Sequence, residues 1–191
     1  MIATDKSFTS DEIRLLKRTR GSMLLSMDAV LVAPPDNSWN TVRLHFDGFS
    51  LDINNRLGEI RIDEFGTLEE FGLLSIAESD KRTLEIPEAS VDATTIDIER
   101  HISGVNIVND LVEVYGDGTL VAAIKYPQAI AFQTDGDVIV LDKEVWFSEM
   151  LTIKLGDDIE DLIYDESVNW EDDSEEDPGT RYVFKTEIAS L

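Results

Sequence analysis

Three Asp-Gly pairs set between alternating apolar residues constrain this chain more than any other feature. In "TVRLHFDGFSLDI", Val42, Leu44 and Phe46 alternate with Arg43 and His45 before Asp47–Gly48, and Phe49, Leu51 and Ile53 resume the alternation after it. A period of two puts successive side chains on opposite faces of a strand, and Asp-Gly tolerates the left-handed backbone of a two-residue hairpin. The layout recurs in "LVEVYGDGTLVAAIKYP" at Asp117–Gly118 and in "AIAFQTDGDVIVLDK" at Asp135–Gly136. Further strands are predicted in "EIRIDEF", "TTIDIERHI", "VWFSEMLTIKL" and "RYVFKTEI", with "SMLLSMDAVLV" a weaker strand. "GTLEEFGLLSIAESDKRT" reads as a helical turn or a loop.

An isolated hairpin is marginal in water, so two hairpin-rich halves, near 36–100 and 101–155, must close on a shared core. The expected fold is mainly β (α+β): an antiparallel β-sandwich or partly open barrel with a short N-terminal helix, in a single domain over 1–191. Helix is confined to about 10–20 and 157–165. In the first, Thr9 and Glu12 have capping-box spacing, Lys17 and Arg18 sit in the last turn, and Gly21 can close it.

Hydrophobic residues make up 42% of 191, enough to bury a core despite the charge. No run of eighteen apolar residues could span a membrane, and "MIATDKSFTSDEIRLL" lacks the basic-then-apolar layout of a signal peptide. A cytoplasmic location is expected. The absence of Cys removes disulfides and thiolate chemistry. With 40 acids against 16 Lys and Arg, the net charge is −24, a field that repels phosphate backbones and attracts basic proteins.

Half of that imbalance lies in residues 157–177, which hold twelve acids and no base. Apolar residues interrupt them. Ile159, Leu162 and Ile163 lie on one face of a helical turn, Asp157 and Asp158 precede that turn, and Val168 and Trp170 alternate like a strand. The acidic segment 157–179 is therefore expected to fold onto the body over 157–170 and to form a loop over 171–179. Its expected partner-binding carboxylates are Asp157, Asp158, Asp161, Asp172, Asp173, Glu175 and Glu176, with Tyr164 and Trp170 as aromatic anchors. Two bland outcomes compete: plain solvated surface, or internal neutralisation by Arg14, Lys17, Arg18 and Arg20.

Chemical motifs are scarce. His45 and His101 are the two histidines, too few for a zinc site, and His45 falls on the polar face of its strand. There is no G-x-S-x-G, H-E-x-x-H or phosphate loop. Asp173, Glu175 and Asp177 alternate as in a calcium loop, but Pro178 replaces the turn glycine and Phe184 the bidentate Glu. No catalytic, cofactor or metal residue is expected. The leading reading is a non-enzymatic acidic binding protein, an immunity- or antitoxin-type inhibitor that occludes a basic protein partner such as a toxin. The alternatives are a DNA mimic and a β-sandwich small-ligand binding protein or enzyme.

Overall fold

A computed structural model describes residues 2–32, 37–61, 68–80, 93–143, 145–165 and 179–191. The strands are β1 (Ile2–Asp5), β2 (Met23–Val32), β3 (Asn37–Phe46), β4 (Phe49–Arg61) and β5 (Leu68–Ser79), followed by β6 (Thr94–Gly116), β7 (Thr119–Thr134), β8 (Val138–Asp142), β9 (Met150–Gly156) and β10 (Thr180–Ser190). Helix α1 (Ser10–Thr19) follows β1, and the four-residue α2 (Ile159–Leu162) follows β9. Thr9 caps α1 as its sequence requires. Its Oγ1 accepts from the Glu12 amide, and the Glu12 carboxylate accepts from the Thr9 amide at 2.8 Å. Gly21 follows at φ 80°.

The ten strands of the described residues belong to one sheet, and its pairings close a ring in the order β2-β3-β9-β8-β7-β6 and back to β2. The ring closes on a narrow seam, because β3 meets β9 over Asn37–Trp39 against Thr152–Met150. Three arms leave it. The β4–β5 hairpin extends from β3, β10 lies beside the long C-terminal part of β6, and β1 pairs with β7. The β1–β7 pair is parallel, which the hairpin pattern does not announce.

The hairpin turns differ in mechanism. Asp117 and Gly118 both have positive φ, 48° and 75°, whereas at Asp47–Gly48 Gly48 alone does. At Asp135–Gly136 neither does. There the Thr134 hydroxyl oxygen accepts from the amides of Gly136 and Asp137 at 3.2 and 2.9 Å and holds the bend.

Three expectations need correction. "GTLEEFGLLSIAESDKRT" is not a turn or loop where described, because Leu68–Ser79 pairs with β4 without a register break. Its apolar residues hide the strand period. Phe71 and Leu73 join one cluster, and Leu74 and Ile76 join another on the opposite face. In "VWFSEMLTIKL", strand begins only at Met150. Trp146–Ser148 forms a turn pinned to the hairpin, since the Gly72 amide donates to the Trp146 carbonyl at 2.6 Å. Asn55 Nδ2 donates to the Ser148 and Met150 carbonyls at 2.8 and 2.9 Å. The two predicted halves are likewise not separate sheets; β6 links them by pairing with both β2 and β7.

Every ring strand contributes to one inner core, among them Met27, Leu44, Ile102, Phe132, Leu141 and Ile153, joined by Leu16 of α1. Strand β8 is buried on both faces. Ile139 and Leu141 point inward, while Val138 and Val140 join an outer cluster with Val108, Ala129, Ala131 and Ile159 of α2. A second outer cluster gathers Ile60, Phe71, Val112, Val114, Ile124 and Tyr126 beneath the β4–β5 hairpin. No helix among the described residues is long and apolar enough to cross a membrane.

Candidate functional site

Between the two outer clusters the apolar surface is interrupted by a buried polar seam. Its origin is the alternation of β6. Val108, Asp110, Val112 and Val114 share one face, the first in one cluster and the last two in the other. Asp110 falls between. A register shift opposite Val108 and Asn109 lets β7 accommodate Pro127, which has no amide to give the ladder, and keeps Tyr126 and Ala129 on that same face.

Asp110 is 2% exposed. The Thr186 hydroxyl on β10, directly opposite in register, donates to its Oδ1 at 2.7 Å, while Oδ2 has no hydrogen-bond partner among the described residues. Burial pushes this carboxyl up to about 6. The Thr186 hydrogen bond and Lys143 pull it down, and Asp142 and Asp165 push it further up.

Asp142 and Lys143, at the end of β8, are fully buried beside it. Asp142 accepts from Gln128 Nε2 at 3.1 Å, Lys154 Nζ at 2.7 Å and the Tyr164 amide at 3.0 Å. Lys143 donates to the Gly72 carbonyl at 2.8 Å and lies 3.8 Å from the centre of the Tyr126 ring. A buried ammonium is tolerated when carbonyl, ring and nearby carboxylates replace water. This lysine ties β8 to the β5 arm.

The seam ends at the surface in a cleft of about 360 Å³ between β10 and α2, lined by Glu160, Ile163, Tyr164, Asp165, Phe184 and Thr186. Thr186 and Phe184 sit opposite Asp110 and Val112, so cleft floor and seam share one face of the sheet.

The acidic segment supplies much of this cleft. Ile159 anchors α2 in the outer cluster, and Asp158 caps it by accepting from the Glu160 amide at 3.1 Å. Asp157, Asp158, Glu160, Asp161 and Asp165 are exposed, and Tyr164 is half-buried. Of the segment expected to fold onto the body over 157–170, residues 157–165 do so with acids outward, and 166–170 lie outside the described residues. Trp170, Asp172, Asp173, Glu175 and Glu176 lie outside the described residues. Three N-terminal bases are engaged elsewhere: Arg14 pairs with Asp11 at 3.1 Å, Arg18 with Glu78 at 2.7 Å, and Arg20 donates to the Ser103 and Leu191 carbonyls.

A second constellation lies on the outer face of β2-β3-β4. His45 Nε2 is 2.8 Å from Asp28 Oδ2, and His45 Nδ1 is 3.0 Å from Ser50 Oγ. The Thr95 hydroxyl donates to Asp28 Oδ1 at 2.7 Å, and Arg43 pairs with Asp52 through contacts of 2.6 and 2.9 Å. Residue types match a serine-hydrolase triad, but the ring nitrogens are exchanged relative to it. Ser50 also sits in a regular ladder opposite His45, not at an exposed elbow. The row works as cross-strand polar pairing. Among the described residues no group of three His, Asp or Glu side chains is placed to hold a metal ion.

Comparison of the chain with protein-family models finds no match, and neither the curated proteins nor the solved structures yield one.

Sequence reasoning missed Asp110, Asp142 and Lys143. The signal was faint but real, a charged residue interrupting an otherwise apolar stretch in "VNIVNDLVEV" and in "DVIVLDKEV".

Proposed function

We propose that this chain is a non-enzymatic acidic binding protein, an immunity- or antitoxin-type inhibitor that occludes a basic protein partner with the face built around α2. The observation that carries this reading is the anchoring of exposed carboxylates. Asp157, Asp158, Glu160 and Asp161 surround a short helix held by buried Ile159 and by the Tyr164–Asp142 hydrogen bond. Like charges held together repel, and a chain of net charge −24 gains no folding stability from that arrangement. A basic partner would relieve the repulsion. Carboxylates fixed on a rigid ring can stand in for phosphates at a cationic cleft, steering association and blocking the cleft once bound.

The test replaces Asp157, Asp158, Glu160 and Asp161 by Asn and Gln and measures binding to a deca-arginine peptide alongside the melting temperature. Weaker binding with an unchanged or higher melting temperature supports the reading. Unchanged binding at every salt concentration returns these residues to solvated surface.

A second reading, a hydrolase, draws on the Ser50–His45–Asp28 row. His45→Ala is expected to lower the melting temperature without removing any ester hydrolysis. Loss of such an activity in a folded His45→Ala variant would favour the hydrolase.

A further inference from the structure

A partner face needs a place where its affinity concentrates, since exposed ion pairs contribute little each. The cleft between α2 and β10 has the composition of such a place. Tyr164, Ile163 and Phe184 form apolar walls, and Glu160 and Asp165 stand at its rim. Behind Thr186 lies Asp110, nine-tenths buried and more, with a carboxylate oxygen that no described group satisfies. Buried acceptors without a donor are rare and costly. Four carboxylates, Asp110, Asp142, Glu160 and Asp165, share seam and cleft with two lysines, of which Lys154 is held by Asp142 and Lys143 donates to the Gly72 carbonyl. Glu160 and Asp165 at the rim and Asp110 behind the floor make the described lining acidic.

We infer that this cleft takes one cationic side chain of the partner, an arginine before a lysine, with its stem between Tyr164 and Phe184 and its head at Thr186, whose side chain must turn aside to open the buried Asp110 to it. The inference rests on the acidic-face reading above and names the pocket within it. Arginine is favoured because a planar guanidinium offers several donors at once, stacks on an aromatic ring and loses less hydration than an ammonium. The volume leaves room for an arginine side chain.

Two probes test it by amide chemical-shift titration, N-acetyl-arginine amide and its neutral isostere N-acetyl-citrulline amide. Shifts confined to 160–165 and 184–186 with arginine, and absent with citrulline, are expected. Asp110→Asn should weaken the arginine complex by about tenfold or more, as loss of a charged hydrogen-bond partner does. Tyr164→Ala, whose backbone bond to Asp142 survives, provides a second weakened variant if Asp110→Asn fails to fold. Equal response to arginine and citrulline, or full affinity in both variants, overturns the pocket. If deca-arginine still binds and still depends on Asp157, Asp158, Glu160 and Asp161, the acidic-face reading stands without it. If deca-arginine does not bind at low salt, both fall.

Discussion

Asp110 carries the clearest pH signature among the described residues. Its carboxyl titrates near 6 in the fold against 3.8 for an ordinary aspartate, because burial penalises the charge more than Thr186 and Lys143 compensate it. The folded protein therefore holds this proton more tightly than the unfolded chain. Its contribution to stability is full below about pH 4 and is lost as the pH rises through 6, a loss on the order of 3 kcal/mol. Asp110→Asn keeps an acceptor for Thr186 and removes the titration. Denaturant melts at pH 4 and 7.5 should show the variant gaining on the wild type at the higher pH by up to that amount. An identical pH profile in both proteins would place the titration elsewhere. Lys143→Met removes a charge that favours the ionised carboxylate, so the Asp110 titration, followed by carbon NMR, should move upward.

Elements in this fold are fixed by a few close approaches. A Cβ at Gly72 would meet the Ser148 carbonyl and, at 2.8 Å, Asn55 Oδ1. The carbonyl is backbone and cannot swing aside, so Gly72→Ala must push the β5 arm away from the Trp146 turn. A loss of roughly 2–3 kcal/mol is expected in chemical denaturation, in the range of overpacked cores. At α1, Thr9→Ala removes the acceptor for the Glu12 amide and should cost about 1 kcal/mol by the same measurement. These elements differ in how far their sequences announce them. Helix α1 and the first two hairpins are legible because cap, period and turn residue coincide locally. Strand β5 is not, since it uses one face near its start and the other near its end. The seam was faint for another reason: Asp110 falls between two predicted strands that β6 joins into one, Asp142 and Lys143 stand at the end of a third, and only pairing across β7, β8 and β10 brings their charges together.

At the scale of the whole molecule, the acidic face predicts salt-dependent association. Exposed carboxylates act through solvent and are screened beyond roughly 10 Å at 0.1 M salt, so deca-arginine should bind through its on-rate at low salt and lose that advantage as salt rises. Stopped-flow association across a salt series reads this directly, and a rate indifferent to salt would exclude steering. The ring itself has a consequence in time. Its narrow join pairs Asn37–Trp39 with Thr152–Met150, partners more than a hundred residues apart. As the chain leaves the ribosome, β2, β3, β4 and β5 emerge early and can pair with one another, but the join waits for β9. Until then Met27, Leu44 and their neighbours line an open, curved sheet with apolar surface facing solvent or a chaperone. Nascent chains arrested before residue 150 should accordingly recruit hydrophobic-binding chaperones, and release from them should coincide with the emergence of β9.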